Sequence, residues 1–511
     1  MVVVAKFGGG CGKDGPSLEK VVDIIISDKA ILEHKNGDAS GGRQRRVITI
    51  SAPGDDGRGK ITDLLKNAGK KFLDTGTIDS VLIGKVWERY EGIADYLGLD
   101  QGFLAPYKQM MIDAIGQRSS KYKLLNKMIN MKNAAMDMFR YGRNAEVQRK
   151  KYLDSVMRLG ELINAAILVE KLGKEGKNAK LYLPEEIGIV TDSNFGSAQL
   201  LSESYAKISN FLERKLQDTD EIIVIPGFYG IDRYGSYTTL PRGGTDLTGS
   251  ILAKSAKAWL YENWTHVDGV KRVDPTIFPK GKDIQTIGSM CFEEMEELGI
   301  TGTGVLLFDA VLPLIGANGE DGKTILQIRN FDNLENPGTI VYGNGKGAYN
   351  GITGISRETC YVLSVKKRSI KNVKGYGSEL FREIAKHSAY KYSFDAIDEI
   401  TVVFPASEAE KLGTIADSIT SNTILNPDKV EIREMGILGI VADGMANQKG
   451  ISKDLTTFLY GGGVNILRQN QGSDRCILFF VDPKDLDNGA RHLYQKIFVE
   501  NRGLPPQRYA A

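Results

Sequence analysis

Apolar, strand-like runs in this chain stop at glycine turns, and helical patterns begin directly after them. The first run, Val2 to Ala5, closes in Lys6-Phe7-Gly8-Gly9-Gly10. A later run, Glu221 to Pro226, leads into Gly227-Phe228-Tyr229-Gly230. Leu240-Pro241-Arg242-Gly243-Gly244-Thr245-Asp246 then opens a helical pattern that continues from Asp246 to Ala258. Strand, glycine turn and helix start together present backbone N–H groups to an anion. Strands alternating with helices also build a largely parallel sheet covered on both faces. An α/β, three-layer α/β/α domain is therefore predicted.

The same alternation organises the first two thirds of the chain. After the first turn come a helix from Ser17 to Ile31, a polar, glycine-rich surface loop from Asn36 to Gln44, a strand from Arg46 to Ser51, and a further helix. Residues Thr77 to Lys171 are mainly helical in pattern. Within them, 118–151 holds ten Lys or Arg against only Asp137 and Glu146; a solvated helix face explains this better than an acidic partner does. Alternation returns over 179–343, with strands near Leu181, Ile222, Trp259 and Ile325. The run from Asn336 to Val341, followed by Gly343-Asn344-Gly345-Lys346-Gly347, places a boundary near 345.

The last third repeats a pattern. One copy reads strand (Cys360 to Val365), glycine turn at Gly375, helix (Ser378 to His387) and strand (Glu399 to Phe404). The other reads strand (Gly436 to Ala442), helix (Ser452 to Tyr460), the run from Val464 to Leu467, strand (Arg475 to Val481) and a closing helix (Leu486 to Phe498). This is the β-α-β-β-α-β logic of ferredoxin-like α+β domains, each with one face of its sheet open to a partner. Neither copy holds a catalytic-looking cluster, which favours binding or regulation. The expected domains are 1–345, 346–430 and 431–511.

Composition narrows the class. The 511 residues suffice for two to four domains, and a formal charge of +2 gives no global argument for nucleic acid or an anionic membrane. Cys11, Cys291, Cys360 and Cys476 stand far apart without metal-ligand spacing, and the four histidines are scattered. With no signal-peptide pattern and no apolar run long enough to span a bilayer, a cytoplasmic protein is expected.

Four candidate charges suggest a chemistry. Arg242 can grip a carboxylate bidentately, and Asp246 sits where a helix cap or an ammonium ligand would sit. Lys6, beside Gly8 and Gly9, can bridge an attacking carboxylate and a phosphate, and Glu161 can hold an ammonium. Each also has a plainer reading: a surface lysine, a tight turn, a first-turn glutamate, a salt-bridge arginine. A side-chain carboxylate is already ionised at pH 7 and needs no base to attack phosphorus. The obstacle is repulsion between anions, met by cations, Mg²⁺ and backbone dipoles holding the groups in line.

At these residues the chain resembles the aspartate kinases of the amino-acid kinase family. The motifs, in order, are Lys6-Phe7-Gly8-Gly9, Ser51-Ala52-Pro53-Gly54 with Ile61-Thr62-Asp63-Leu64, and Arg158-Leu159-Gly160-Glu161. Then come Pro226-Gly227-Phe228, Arg242-Gly243-Gly244-Thr245-Asp246, Trp264 to Val270 with Asp274-Pro275, and Pro337-Gly338-Thr339. The last third is similar to paired ACT domains. The resemblance implies phosphorylation of L-aspartate to 4-phospho-L-aspartate with ATP and Mg²⁺, the first committed step toward lysine, threonine, methionine and isoleucine. By motif, Lys6, Phe7, Gly8 and Gly9 would meet the phosphates, and Thr265, His266 and Lys271 would line the nucleotide pocket. Ser51, Thr62, Glu161, Arg242 and Thr245 would surround the amino acid, with Arg242 on the α-carboxylate and Glu161 on the ammonium. Asp246 would orient Lys6 or assist the substrate. The ACT pair would form a homodimer interface and bind an amino-acid effector.

The chain departs from the pattern at defined places. Gly10-Cys11-Gly12 stands where the family usually has Thr-Ser-Val, and His266 stands where it has aspartate. Gly302 to Phe308 lacks a lysine that usually contacts the nucleotide, a loss of about 1.5–3 kcal/mol of charge-assisted bonding that Lys271 can partly offset. Lys391-Tyr392-Ser393 replaces an acidic residue found in lysine-inhibited members, so the resemblance does not extend to lysine feedback. Two other readings stay open: a kinase of this fold acting on another small carboxylate or amino acid, and a weakly active regulatory paralogue.

Overall fold

The computed structural model describes residues 2–27, 44–116, 145–217, 220–300, 310–315, 324–343, 351–368 and 370–500. Loop residues 36–43, the basic stretch 118–144, the segment 302–308 and the linker residues 344–347 lie outside the described residues. The chain divides into two compact units, Met1–Gly269 with Asp309–Gly343, and Val270–Phe308 with Asn344–Ala511.

The first unit is built on strands β1 (Val2–Phe7), β2 (Gln44–Ile50), β3 (Ala179–Leu181), β4 (Ile222–Pro226), β5 (Leu260–Thr265), β6 (Ile325–Asn330) and β7 (Thr339–Tyr342). They lie side by side in the order β3-β4-β2-β1-β5-β6-β7. All neighbours are parallel except β6 and β7. The chain moves to one side of β1 for β2 and to the other for β5, so the sheet reverses its winding beside β1. Ligands of open parallel sheets bind at the carboxyl ends of the strands at such a point.

Side-chain alternation along β1 sorts its residues between the two faces. Ala5 and Phe7 join a core with Leu18, Val21 and Val22 of the helix Gly15–Ile26 and with Leu162, Ile163 and Ile167 of the helix Leu159–Lys174. Lys6 is sent to the other face, where the helix Gly244–Ser255 begins. That helix comes close to β5 at Gly249, where a Cβ would lie 2.3 Å from the Tyr261 hydroxyl. The first helix closes at Ile26, where Ser27 turns extended with φ −92° and ψ 133°; residues 28–31 of the predicted helix lie outside the described residues. A smaller sheet of Val190–Thr191, Tyr229–Asp232 and Tyr237–Thr239 was not anticipated; its strands are too short to show periodicity.

The second unit carries strands β8 (Gly354–Lys366), β9 (Tyr392–Asp395), β10 (Glu399–Pro405), β11 (Lys429–Val441), β12 (Ile466–Ser473) and β13 (Cys476–Val481). They form one antiparallel sheet in the order β9-β10-β8-β11-β13-β12. The repeated pattern therefore gives two copies joined along β8 and β11, which pair from Gly354 with Val441 to Lys366 with Lys429. Helices Tyr376–Ala385 and Leu412–Ser421 cover the first copy through Leu363, Val365, Ile400, Val402 and Phe404. Helices Ile451–Gly461 and Leu486–Tyr494 cover the second through Leu438, Ile440, Ile477, Phe479 and Val481. The α/β-plus-α+β class read from the sequence holds.

The segment from Val270 packs in this second unit, although sequence alone put everything to 345 in one domain. Val273, Ile277 and Ile284 enter the core of the second copy, and Arg272 donates to the carbonyls of Ile352 and Thr353 at 3.1 and 3.0 Å.

Candidate active site

The carboxyl ends of β1, β2, β4 and β5 carry the residues of interest. After β1, Gly8 N–H donates to the Trp264 carbonyl at 3.2 Å, and Gly9 to Gly12 make one tight helical turn. After β2, the loop from Ser51 folds against that turn: Ser51 N–H donates to Phe7 O at 3.0 Å, and Gly54 N–H to Gly9 O at 2.7 Å. A Cβ on Gly9 would lie 3.0 Å from Ala52 O, and one on Gly54 would lie 2.7 Å from the Gly9 carbonyl carbon. Neither loop accepts a side chain there, so both backbones stay bare along the same line.

Lys6 is 6 % exposed, and its Nζ lies 2.5 Å from Asp246 Oδ1 in the first turn of the helix Gly244–Ser255. Asn263 on β5 completes the group: its Oδ1 accepts from Lys6 at 3.2 Å and its Nδ2 donates to the same Asp246 oxygen at 2.8 Å. The ammonium is thereby fixed by one carboxylate and one amide drawn from two neighbouring elements. Asn263 was missed by sequence reading, since in Leu260-Tyr261-Glu262-Asn263-Trp264-Thr265 it is one polar residue among several; only the register of β5 against β1 sets it beside Lys6.

Glu161, in the first turn of the helix Leu159–Lys174, is 4 % exposed. Burial pushes its carboxyl up to about 8, against the opposing hydrogen bonds from the N–H groups of Ala52 and Glu161 itself. Its Oε2 has no hydrogen-bond partner among the described residues. A buried carboxyl with one open acceptor suits a cationic ligand. Gly160 lets this helix approach the second loop, where a Cβ would sit 2.8 Å from that of Ala52. Three residues on from Glu161, Asn164 donates to Ser51 O at 2.7 Å. A Cβ on Gly12 would be 2.6 Å from that amide nitrogen, which explains why this chain keeps glycine where valine is usual.

The turn after β4 is backbone-strained, with Phe228 at φ 74°. Its N–H donates to Thr248 Oγ1 at 3.2 Å, and its carbonyl accepts from Leu240 N–H at 2.8 Å, tying the turn to both ends of the Arg242 loop. A Cβ on Gly227 would meet Thr245 at 2.4 Å. Asp154 holds the strand before that loop, accepting from Thr239 N–H and Oγ1 at 2.9 and 2.7 Å; burial raises its carboxyl to about 6. Arg242 itself is exposed and has no ion pair or side-chain hydrogen bond among the described residues, as a ligand-reading guanidinium would.

The remaining candidates are placed as follows. Ser51 and Thr62 are half-buried, Thr62 in the first turn of the helix Ile61–Thr75, and Thr245 is buried. Thr265 ends β5, and His266 is exposed beside the glycine turn, its Nδ1 3.9 Å from where a Gly10 Cβ would be. Lys271 belongs to the second unit and donates to Thr286 Oγ1 at 3.0 Å. Cys11 is buried and its thiol is pushed up to about 12 by burial, so it is no nucleophile.

The model of the amino acid kinase family matches residues 1–320 of the chain. Aspartokinase 3 of Bacillus subtilis (strain 168) is 27 % identical over 504 residues, covering 97 % of this chain and 98 % of its own. Chloroplastic aspartokinase 2 of Arabidopsis thaliana is 26 % identical, covering 98 % of this chain and 84 % of its own. The crystal structure of Clostridium acetobutylicum aspartate kinase superposes with a TM-score of 0.73 at 26 % identity, covering 97 % of this chain and 99 % of its own. With the family match running from the first glycine turn through the Arg242 loop and beyond, the chain is a member of the amino acid kinase family.

Proposed function

We propose that this protein phosphorylates the side-chain carboxylate of L-aspartate with ATP, giving 4-phospho-L-aspartate and ADP. The observation that carries the reading is the ammonium of Lys6, fixed by Asp246 and Asn263 at the carboxyl end of β1 beside two bare glycine loops. Similarity to aspartokinases along the whole chain supports the choice of substrate.

In this reading the N–H groups of the glycine turn and Lys6 receive the phosphates, with Thr265 and His266 at the nucleotide's side. Arg242 takes the α-carboxylate, and the open oxygen of Glu161 takes the ammonium, with Ser51, Thr62 and Thr245 around them. The side-chain carboxylate is left to face the phosphate with Lys6 between them, and Asp246 keeps that ammonium in place. Among the described residues no group of three or more His, Cys, Asp or Glu could hold a metal. Mg²⁺ would come with the nucleotide and would offset phosphate charge there. In the second unit the two joined copies are proposed to take an amino-acid effector and to pair with a second copy of the chain. Lys391, paired with Glu358, argues for an effector other than lysine. No helix among the described residues is long and apolar enough to cross a membrane.

The test is ADP release by pure protein with Mg-ATP and a panel of amino acids and small carboxylates. Aspartate is expected to stand out, and equal rates with another carboxylate would overturn the assignment. Arg242→Ala should raise the aspartate KM about 10–100-fold, the loss of one charged, bidentate contact, while leaving the ATP KM and the folded fraction unchanged. A change in the ATP KM instead would show that Arg242 serves the nucleotide.

A further inference from the structure

A buried arginine outside every motif joins the two glycine loops. Arg89 lies in the helix Ser80–Tyr96 and is 1 % exposed. Its Nε donates to Lys13 O at 3.0 Å, just past the first glycine turn. Its Nη1 donates to Gly59 O at 2.7 Å and its Nη2 to Gly54 O, both in the loop after β2. Asp56 Oδ1 completes the shell at 3.1 Å from Nη1. One planar group thus spends its donors on three main-chain carbonyls from two separate loops, and on the Asp56 carboxylate that it shares with Arg58.

The second loop needs such an anchor. Gly57 and Gly59 have φ of 98° and 95°, a conformation with little intrinsic preference for one path. Asp55 caps the N–H groups of Gly57 and Gly59 at 2.8 and 2.9 Å, which leaves their segment's outward carbonyls to Arg89. The anchored loop in turn fixes Gly54, whose N–H holds Gly9 O, and Ala52, whose N–H bonds the Glu161 carboxylate. Through these links Arg89 touches both halves of the site, while remaining buried behind it.

We propose that Arg89 is a positioning residue, setting the distance between the phosphate-facing glycine turn and the amino-acid-facing loop. The inference rests on the reading of the site as one for ATP and an amino acid. A lysine cannot replace it, because an ammonium does not present a planar fork to three carbonyls.

Arg89→Ala is expected to lower kcat about 100-fold per folded molecule, the effect of a misplaced reacting pair, and to weaken ATP binding. Guanidinium ion, added far below denaturing concentrations, should restore at least about 10-fold of the loss, whereas urea at equal concentration should not. A kcat within about twofold of the parent, or equal responses to guanidinium and urea, would overturn the proposal. Should Arg89→Ala not fold, Arg89→Lys is measured; a loss of at least about 10-fold in kcat supports the proposal, and a smaller one overturns it. ATP binding measured without any amino acid keeps the two ideas apart. If the parent binds ATP but does not act on aspartate, the substrate assignment fails, while Arg89→Ala must still weaken ATP binding or the positioning role fails too.

Discussion

Lys6→Ala is expected to lower kcat by about 10²–10³, the cost of removing one preorganised donor aimed at charge that moves in the transition state. In the proposed reaction negative charge leaves the attacking carboxylate oxygen as its bond to phosphorus forms and builds on the leaving oxygen of ADP as that bond breaks, with the Lys6 ammonium proposed to lie between them. Its fixation is observable: Asp246 at 2.5 Å and Asn263 at 3.2 Å leave it little freedom to follow the substrate. Removing Lys6 also leaves Asp246 as an unpaired carboxylate facing an incoming anion, which adds repulsion to the lost attraction. The double variant Lys6→Ala/Asp246→Asn should therefore be no worse than Lys6→Ala alone, the non-additivity of groups that act together. Steady-state kinetics settle the matter. Additive losses would mean that Asp246 has its own task at the substrate.

Glu161→Gln should raise the aspartate KM about 10–100-fold, since a charged partner of the ammonium becomes neutral. It should also remove a pH dependence. The Glu161 carboxyl, raised to about 8 by burial, is mostly protonated at neutral pH in the free protein. An ammonium ligand favours the ionised form, so binding expels that proton. Aspartate affinity should then rise as pH climbs toward about 8 and level off above it, and calorimetry in buffers of different ionisation enthalpy should detect close to one proton released at lower pH. In Glu161→Gln both effects should vanish. A parent whose aspartate affinity is flat from neutral pH to above 8 would show that Glu161 does not hold the ammonium.

The parts of the structure legible in sequence were those with local signals. β1 and β4 are apolar runs ending at glycine turns, and the alternation of such runs with helical patterns points to a parallel sheet. Lys6 and Asp246 lie far apart in sequence and nothing local says that they meet; the connection from β4 across β2 and β1 to β5 carries the helix of Asp246 onto Lys6. Asn263 and Arg89 were missed for the same physical reason. Each works by long-range hydrogen bonds, and neither sits at a turn or a periodic break. The strands β8 and β11 proved longer than read, because their outer ends carry polar residues such as Lys429 and Glu431, and only their mutual pairing makes them strand. The segment from Val270, continuous in sequence with the first unit, packs with the second, because Val273, Ile277 and Ile284 find their core there.

A lysine, an arginine and bare backbone are proposed to offset the repulsion between an amino-acid carboxylate and a nucleotide phosphate, so that the two join. Trapping with hydroxylamine tests it most directly. Pure protein with Mg-ATP and L-aspartate should yield one aspartyl hydroxamate for each ADP formed, and none without ATP. ADP formed with no hydroxamate, or no aspartate-dependent ADP at all, would contradict the account.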